Sequence, residues 1–382
     1  MKLAIFSDAF LPQINGIVTH LMETLPLIAK NNTLLLAVPK PRGKIELPQS
    51  FSNIEIVYLS GLPVFFYKDW QITLPISPFL YRQLDKFHPD VIHFHSAFTT
   101  GHNGVFYARQ KKIPLVGTFH GYFMEPEYLS IIGLDKIGLH RSKMLNKLLW
   151  RYSNFFYNKA DMVICPSQAT RKDLIDHGVI KPVHAVSNGI KINTTAKRNK
   201  TYQLPRKYFL YVGRISKEKN LDLLIQALEK TETTINLVMV GDGPMKTTLE
   251  NMTKNKKLVK RVFLLGQIDH DKLICSNIYE DALGFITAST SETQGITILE
   301  AMAAGLPIIG VKARALPELI TDNGVICNVG DIDSLSNAMM TIEGNLDLRK
   351  KYGDNSKNNV RQHSIDKTIE RLEKIYASVS GA

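Results

Sequence analysis

Thr290-Ser291-Glu292-Thr293-Gln294-Gly295-Ile296-Thr297-Ile298-Leu299-Glu300-Ala301-Met302-Ala303-Ala304-Gly305 is the stretch on which the fold turns. A strand ends near Ala288, a polar loop follows, and a helix is predicted from about Ile296. From Ala301 to Gly305 that helix is small and apolar, so it packs tightly against a sheet. Strand, polar loop and sheet-packed helix make one βα unit of a parallel α/β protein. Glu292 falls in the loop and Glu300 about one turn inside the helix, with seven residues between them. The free N–H groups and positive dipole end of the helix start suit an anion. Gly295 lets backbone approach a phosphate closely. A carboxylate beside it can accept hydrogen bonds from sugar or ribose hydroxyls. Taken alone, the pair reads equally well as a loop cap and a helix residue. Against that stands Glu300, which lies against a core wall where an unpaired charge is costly.

The same rhythm extends in both directions. Tyr208–Val212, Asn236–Val240, Val262–Leu264, Gly284–Ile286 and residues 307–310 read as buried strands of the second half. Residues 2–7, 33–38, 91–94, 115–118 and 162–165 do so in the first. The predicted architecture is two Rossmann-like domains with parallel sheets facing a central cleft, 1–190 and 208–362, joined by a polar linker at 191–207. An amphipathic helix at 363–382, with Ile365, Ile369, Leu372, Ile375 and Tyr376 on its apolar positions, packs back on the first domain. A chain of 382 residues fits the prior of roughly 100–200 residues per domain. Three widely spaced cysteines, Cys165, Cys275 and Cys327, read as buried free thiols of a reducing compartment. The first residues do not read as a signal peptide, and no stretch approaches the length of a membrane span.

Three further loops follow strands. Val212-Gly213-Arg214-Ile215-Ser216-Lys217-Glu218-Lys219-Asn220 sets two cations, Arg214 and Lys219, where a leaving diphosphate would gain charge. By itself it is also an ordinary basic loop. Gly117-Thr118-Phe119-His120-Gly121 puts His120 at a strand end, and Asp8 to Thr19 places Asn15-Gly16 at the start of a helix. His93 and His95 share one face of a strand, as metal ligands or as structural residues. Asp269-His270-Asp271 imitates a metal-binding D-x-D but precedes a helix, where Asp is an ordinary N-cap.

Together these motifs resemble the retaining glycosyltransferases of family 4, with the GT-B fold. The likeness covers nearly the whole chain. It implies that Glu292 contacts the donor sugar and Glu300 the ribose, and that Gly295, Ile296 and Thr297 face sugar and diphosphate. It implies that Arg214 and Lys219 bind the phosphates, that His120 approaches the donor sugar, and that Gly16, Gly241 and Ile268 line the donor. It implies no metal and no tightly bound cofactor, only a sugar-nucleotide donor. The reaction it implies is a front-face displacement in which the leaving phosphate takes the acceptor proton. One departure is Lys312-Ala313-Arg314-Ala315, where much of the family has a glycine pair.

The formal net charge is +12. Six basic residues and no acidic one fall between Lys136 and Ala160. Within this stretch Leu145, Leu148, Leu149, Tyr152, Phe155 and Phe156 recur at helical spacing, and Lys143, Lys147 and Arg151 recur every four residues. This is the pattern of an interfacial helix at an anionic membrane, or of a helix whose apolar face packs on the first domain. Phe65 to Trp70 is aromatic enough for a membrane interface or a core edge. Ser291 to Gly295, with Asp8–Gly16 and Phe65–Trp70, resembles the bacterial diacylglycerol glucosyltransferase branch. That branch implies UDP-glucose as donor, diacylglycerol as acceptor, and a cytoplasmic enzyme peripheral on the inner membrane face. Transfer to a soluble or polysaccharide acceptor and a sugar-nucleotide epimerase are the alternatives. Nothing patterned for nucleic acid accompanies the charge.

Overall fold

The computed structural model describes residues 1–13, 15–64, 70–131, 133–192, 202–231 and 234–381. The chain forms two compact units, Met1–Gly189 with the segment from Ile365 on, and Ile190–Ser364. Part of the predicted linker, 193–201, lies outside the described residues.

The first unit is built on a seven-stranded sheet, numbered here in chain order. Its strands are β1 (Lys2–Phe6), β2 (Thr33–Pro39), β3 (Ile54–Leu59), β6 (Val91–Phe94), β7 (Leu115–Thr118), β8 (Met162–Cys165) and β9 (Val183–Ala185). They lie in the order β3-β2-β1-β6-β7-β8-β9, every pair parallel. A separate antiparallel hairpin pairs β4 (Gly61–Pro63) with β5 (Gln71–Thr73). Alternation on β1 sends Leu3 and Ile5 to one face and Ala4 and Phe6 to the other, all fully buried. Helix Ile365–Ser380 buries Ile365, Thr368, Leu372, Ile375 and Tyr376, and the last three join the Leu3–Ile5 cluster. Each such aliphatic side chain contributes roughly 1.5–3 kcal/mol.

The second unit has a six-stranded parallel sheet. Its strands are β10 (Tyr208–Val212), β11 (Asn236–Val240), β12 (Val262–Gly266), β13 (Gly284–Ile286), β14 (Ile308–Val311) and β15 (Gly324–Cys327), in the order β12-β11-β10-β13-β14-β15. The order reverses between β1 and β6 in one sheet and between β10 and β13 in the other. Open parallel sheets bind ligands at such reversals, beyond the carboxyl ends of the strands.

The cysteines depart from expectation at one position. Cys165 and Cys327 are buried, but Cys275 is exposed, because it follows the short surface helix His270–Ile274. Among the described residues no helix is long and apolar enough to cross a membrane.

Candidate functional site

In the second unit the reversal between β10 and β13 brings two loops together. The loop after β10 ends at Asn220, which adopts a left-handed conformation (φ 49°). Its Nδ2 donates to the Ala288 carbonyl at the start of the β13 loop (3.1 Å). Thr290 N–H donates to the Glu218 carbonyl (3.3 Å), closing a second link. These ties set Lys219 opposite Glu292, with Nζ 2.6 Å from Oε1 and side chains only 17% and 18% exposed. Burial works against ionisation of Glu292. The charge of Lys219 and its hydrogen bond, with one from Ser289, outweigh burial and hold the carboxyl below its ordinary range. Arg214, in the same loop, is exposed. The β10 loop therefore carries Lys219 in a shielded ion pair, with Arg214 and Lys217 exposed beside it.

Backbone packing leaves no room for side chains beneath this site. Gly241 follows β11 at φ 139°, and a Cβ there would lie 1.9 Å from the Gly213 carbonyl oxygen. Replacing Gly241 with alanine should cost about 2 kcal/mol or more, from left-handed strain and overpacking combined. A denaturant midpoint equal to that of the parent protein would refute this close approach. Gly295 is the left-handed N-cap of helix Ile296–Ala303 (φ 86°). A Cβ on it would meet Ile298 Cδ1 at 2.7 Å, and its neighbours Ile296 and Thr297 open the helix half-exposed. Glu300 is buried on the same helix. Ile268 stands half-buried after β12, and Asp269 caps the next helix by accepting from Lys272 N–H (3.2 Å). The departing segment Lys312–Ala315 also reaches the site. Ala315 N–H donates to the Glu292 carbonyl (3.3 Å), and Arg314 takes a left-handed φ of 47° that glycine would adopt without strain.

In the first unit the corresponding reversal is tied by Asp8. Its buried carboxylate accepts from Thr100 N–H (2.6 Å), Gly101 N–H (3.3 Å) and Ser96 Oγ (2.7 Å). It thereby satisfies orphan donors at the start of helix Thr99–Lys111. Gly16 opens helix Gly16–Ile28, capped by Asn15 Oδ1, which accepts from Ile17 and Val18 N–H (3.0 and 3.1 Å). Beside these lies a group of four imidazoles. His95 Nδ1 is 2.9 Å from His120 Nε2, and His20 sits 5.6 and 5.4 Å from their ring centres. His93 stacks within 4.2 Å of His95, its own nitrogens engaged by Tyr376 Oη (2.8 Å) and Thr118 Oγ1 (2.6 Å). His20 donates from Nδ1 to the Asn188 carbonyl (3.0 Å). Burial lowers all four. It takes His20 down to about 4 despite the Asn188 bond, and His93, helped by His20, to about 3. His95 and His120 also fall well below the ordinary value, from burial first and neighbouring imidazoles second. The rings are therefore neutral at pH 7. Sequence reasoning did not single out His20, and it placed Tyr376 on an apolar helix face without its contact to His93; both come from distant helices.

Helix Lys143–Tyr157 departs from its predicted pattern. The apolar positions do not form one face. The buried seam is Trp150, Ser153, Phe156 and Tyr157, spaced three and four apart, while Leu145, Leu149 and Tyr152 are half-buried. Leu148 and Phe155, 57% and 53% exposed, stand with Met144 at 82% on the outer face that carries Lys143, Lys147 and Arg151. Trp70 is half-buried, edge-on to Phe98 at 4.8 Å. Phe65 lies outside the described residues. Among the described residues flanking Trp70 in sequence, Leu62, Ile72, Leu74, Ile76 and Phe79 are exposed, which the aromatic pattern did not reveal.

Comparison with known proteins divides the chain as the sheets do. Residues 14–194 match the model for Glycosyltransferase Family 4, and residues 192–359 match Glycosyl transferases group 1. An alpha-monoglucosyldiacylglycerol synthase of Streptococcus pneumoniae is 28% identical over 84% of this chain and 74% of its own. A GDP-mannose-dependent alpha-mannosyltransferase of Corynebacterium glutamicum is 26% identical over 87% of this chain and 78% of its own. The fold is shared with Anabaena HepE, crystallised with UDP-glucose, at a TM-score of 0.74 and 18% identity over 99% of this chain and 100% of that one.

Proposed function

Since the chain belongs to the family 4 glycosyltransferases and has their GT-B fold, we propose that it moves glucose from UDP-glucose, with retention, onto diacylglycerol at an anionic membrane. The observation that carries the donor side is the Lys219–Glu292 pair at the β10–β13 reversal, with Arg214 in the same loop and glycines beneath. Glu292 accepts from sugar hydroxyls and Glu300 from the ribose. Gly295, Ile296 and Thr297 bring backbone to the diphosphate, Ile268 lies along the base, and Gly16 and Gly241 give backbone access. The anomeric carbon–oxygen bond to the diphosphate breaks as the acceptor oxygen bonds the same face. The departing phosphate oxygen takes the acceptor proton. Arg214 and Lys219 stabilise the charge that develops on the diphosphate, where a desolvated cation counts for most. His120, neutral and hydrogen-bonded to His95, serves the donor sugar near its reacting carbon.

Support for a lipid acceptor comes from the outer face of helix Lys143–Tyr157, where three cations alternate with exposed Met144, Leu148 and Phe155. Cations near an anionic surface contribute about 1 kcal/mol each while apolar side chains enter the interface. The synthase activity of the Streptococcus relative points the same way.

The test is transfer of labelled glucose from UDP-glucose to diacylglycerol in anionic vesicles, with neutral vesicles and GDP-mannose as controls. Labelled glycolipid formed mainly on anionic vesicles is expected. Exchanging Lys143, Lys147 and Arg151 together for glutamine should weaken vesicle binding by about a hundredfold, the sum of about 1 kcal/mol each. Transfer to a short-chain soluble diacylglycerol should survive that exchange. Equal vesicle binding by the triple variant would remove the helix from the interface. Transfer from GDP-mannose alone would reassign the donor.

A further inference from the structure

Both oxygens of Glu300 are held from outside its own helix. His270 Nε2 donates to Oε1 at 2.8 Å and Tyr279 Oη donates to Oε2 at 2.7 Å. Because a carboxylate only accepts, these contacts fix the direction of both bonds. The Glu300 side chain is 7% exposed, whereas the His270 ring is 48% exposed. Tyr279 is buried, and burial together with the Glu300 charge keeps its phenol protonated well above the usual range, so it remains a donor. An ionised carboxylate has about four acceptor sites. Among the described residues one site on each oxygen is occupied, which leaves one on each. Two acceptors on adjacent oxygens match two hydroxyls on adjacent carbons, the diol of a ribose. His270 also stands two residues after Ile268, so one loop carries both the group assigned to the base and the donor that orients the ribose carboxylate.

We propose that His270 and Tyr279 are positioning residues which aim the Glu300 carboxylate at the ribose diol of the donor nucleotide, with His270 joining ribose recognition to the base-holding loop. This rests on the assignment of Glu300 to the ribose made above. A carboxylate already locked in its binding rotamer loses less freedom when the nucleotide arrives. Removing a lock therefore weakens binding only where the hydroxyls are present to be bound.

The experiment is calorimetric titration of the full chain with UDP and with 2′-deoxy-UDP, for the parent protein and for His270→Leu, His270→Gln and Tyr279→Phe. The parent should prefer UDP by about tenfold or more, as sites built around a hydroxyl do. In His270→Leu, UDP affinity should fall by about tenfold while the deoxy analogue changes by less than about threefold. Glutamine keeps an N–H donor, so His270→Gln should recover most of the preference. In turnover, His270→Leu should raise the donor KM by a similar factor with kcat within about twofold. Because glutamine keeps a donor to the buried Glu300 carboxylate, His270→Gln should unfold near the parent's temperature, and Tyr279→Phe serves as the buried comparison. A parent protein that binds neither nucleotide, or both equally, would overturn the ribose reading of Glu300 and this inference with it. A normal parental preference that persists unchanged in His270→Leu and Tyr279→Phe would overturn the inference alone.

Discussion

Exchanging Lys219 for alanine should lower kcat by about 10²–10³-fold, the scale on which loss of one charge-stabilising donor is felt in a desolvated site. Two consequences separate this residue from an ordinary surface lysine. With its cation gone, burial of Glu292 is opposed by the Ser289 hydrogen bond but no longer by Lys219, and its carboxyl rises from the depressed range it holds beside Lys219. The native ion pair contributes fully above the ordinary carboxylate pKa, and that contribution is lost as pH falls through the lowered value. The variant lacks this dependence. At neutral pH it leaves a carboxylate that is mostly out of water without a counter-ion, a loss of about 3 kcal/mol. The double variant Lys219→Ala with Glu292→Gln should recover that stability while remaining inactive. Steady-state transfer assays and denaturant unfolding of the parent and the two variants check both halves. Activity above a tenth of the parent's in Lys219→Ala would sink the assignment.

Acid should destabilise the first unit before it affects any carboxylate. His20 and His93 hold pKa values of about 4 and about 3, against an unfolded value near 6.5. Above roughly pH 6.5 both states are neutral and the packed cluster has its full stability. As pH falls from there through about 4 and about 3, the unfolded chain takes up protons that the native chain refuses, and stability drains away. At pH 5 each ring loses about 1.5 units' worth of free energy, so the pair costs roughly 4 kcal/mol. Denaturant unfolding at pH 7.5 and pH 5.0 measures it. His93→Gln keeps a side-chain donor and acceptor between Tyr376 and Thr118 but cannot titrate, so its pH 5.0 loss should be smaller than the parent's by about 2 kcal/mol, with His20, His95 and His120 still resisting protonation. An equal loss in both proteins would show that the buried imidazoles do not govern acid stability.

What was legible in the sequence follows from where local signals are strong. The inner strands of both sheets are continuous apolar runs, buried on both faces, and their positions could be read to within a residue or two. The edge strands β3, β9 and β15 were not read; all three are partly exposed, and β9 and β15 are also short. In the β10 and β13 loops, residue types at fixed spacing indicated Lys219 and Glu292, but nothing in the spacing indicated that they pair. The contacts of His93 with Tyr376 and of Glu300 with His270 join residues far apart in the chain. Such pairings depend on topology and on burial leaving each polar group one partner, and no local pattern encodes them. On helix Lys143–Tyr157 the composition was right and the division between faces was not. Heptad-like spacing fixes an angle around the axis only once the neighbouring Trp150–Tyr157 seam is known.

Helix Ile365–Ser380 supplies Leu372, Ile375 and Tyr376 to the core around Leu3 and Ile5. On a ribosome, β1 emerges before the second unit and this helix after it, with the whole of the second unit made between them. Domains usually acquire structure in order of synthesis. Here the earliest-made sheet must wait, one apolar face uncovered, while a later continuous unit can finish ahead of it. The interval is when this chain has most need of a chaperone. A nascent chain ending at Ser364 and carried clear of the ribosome by a long flexible linker should display a protease-resistant second unit and a first unit still open to cleavage.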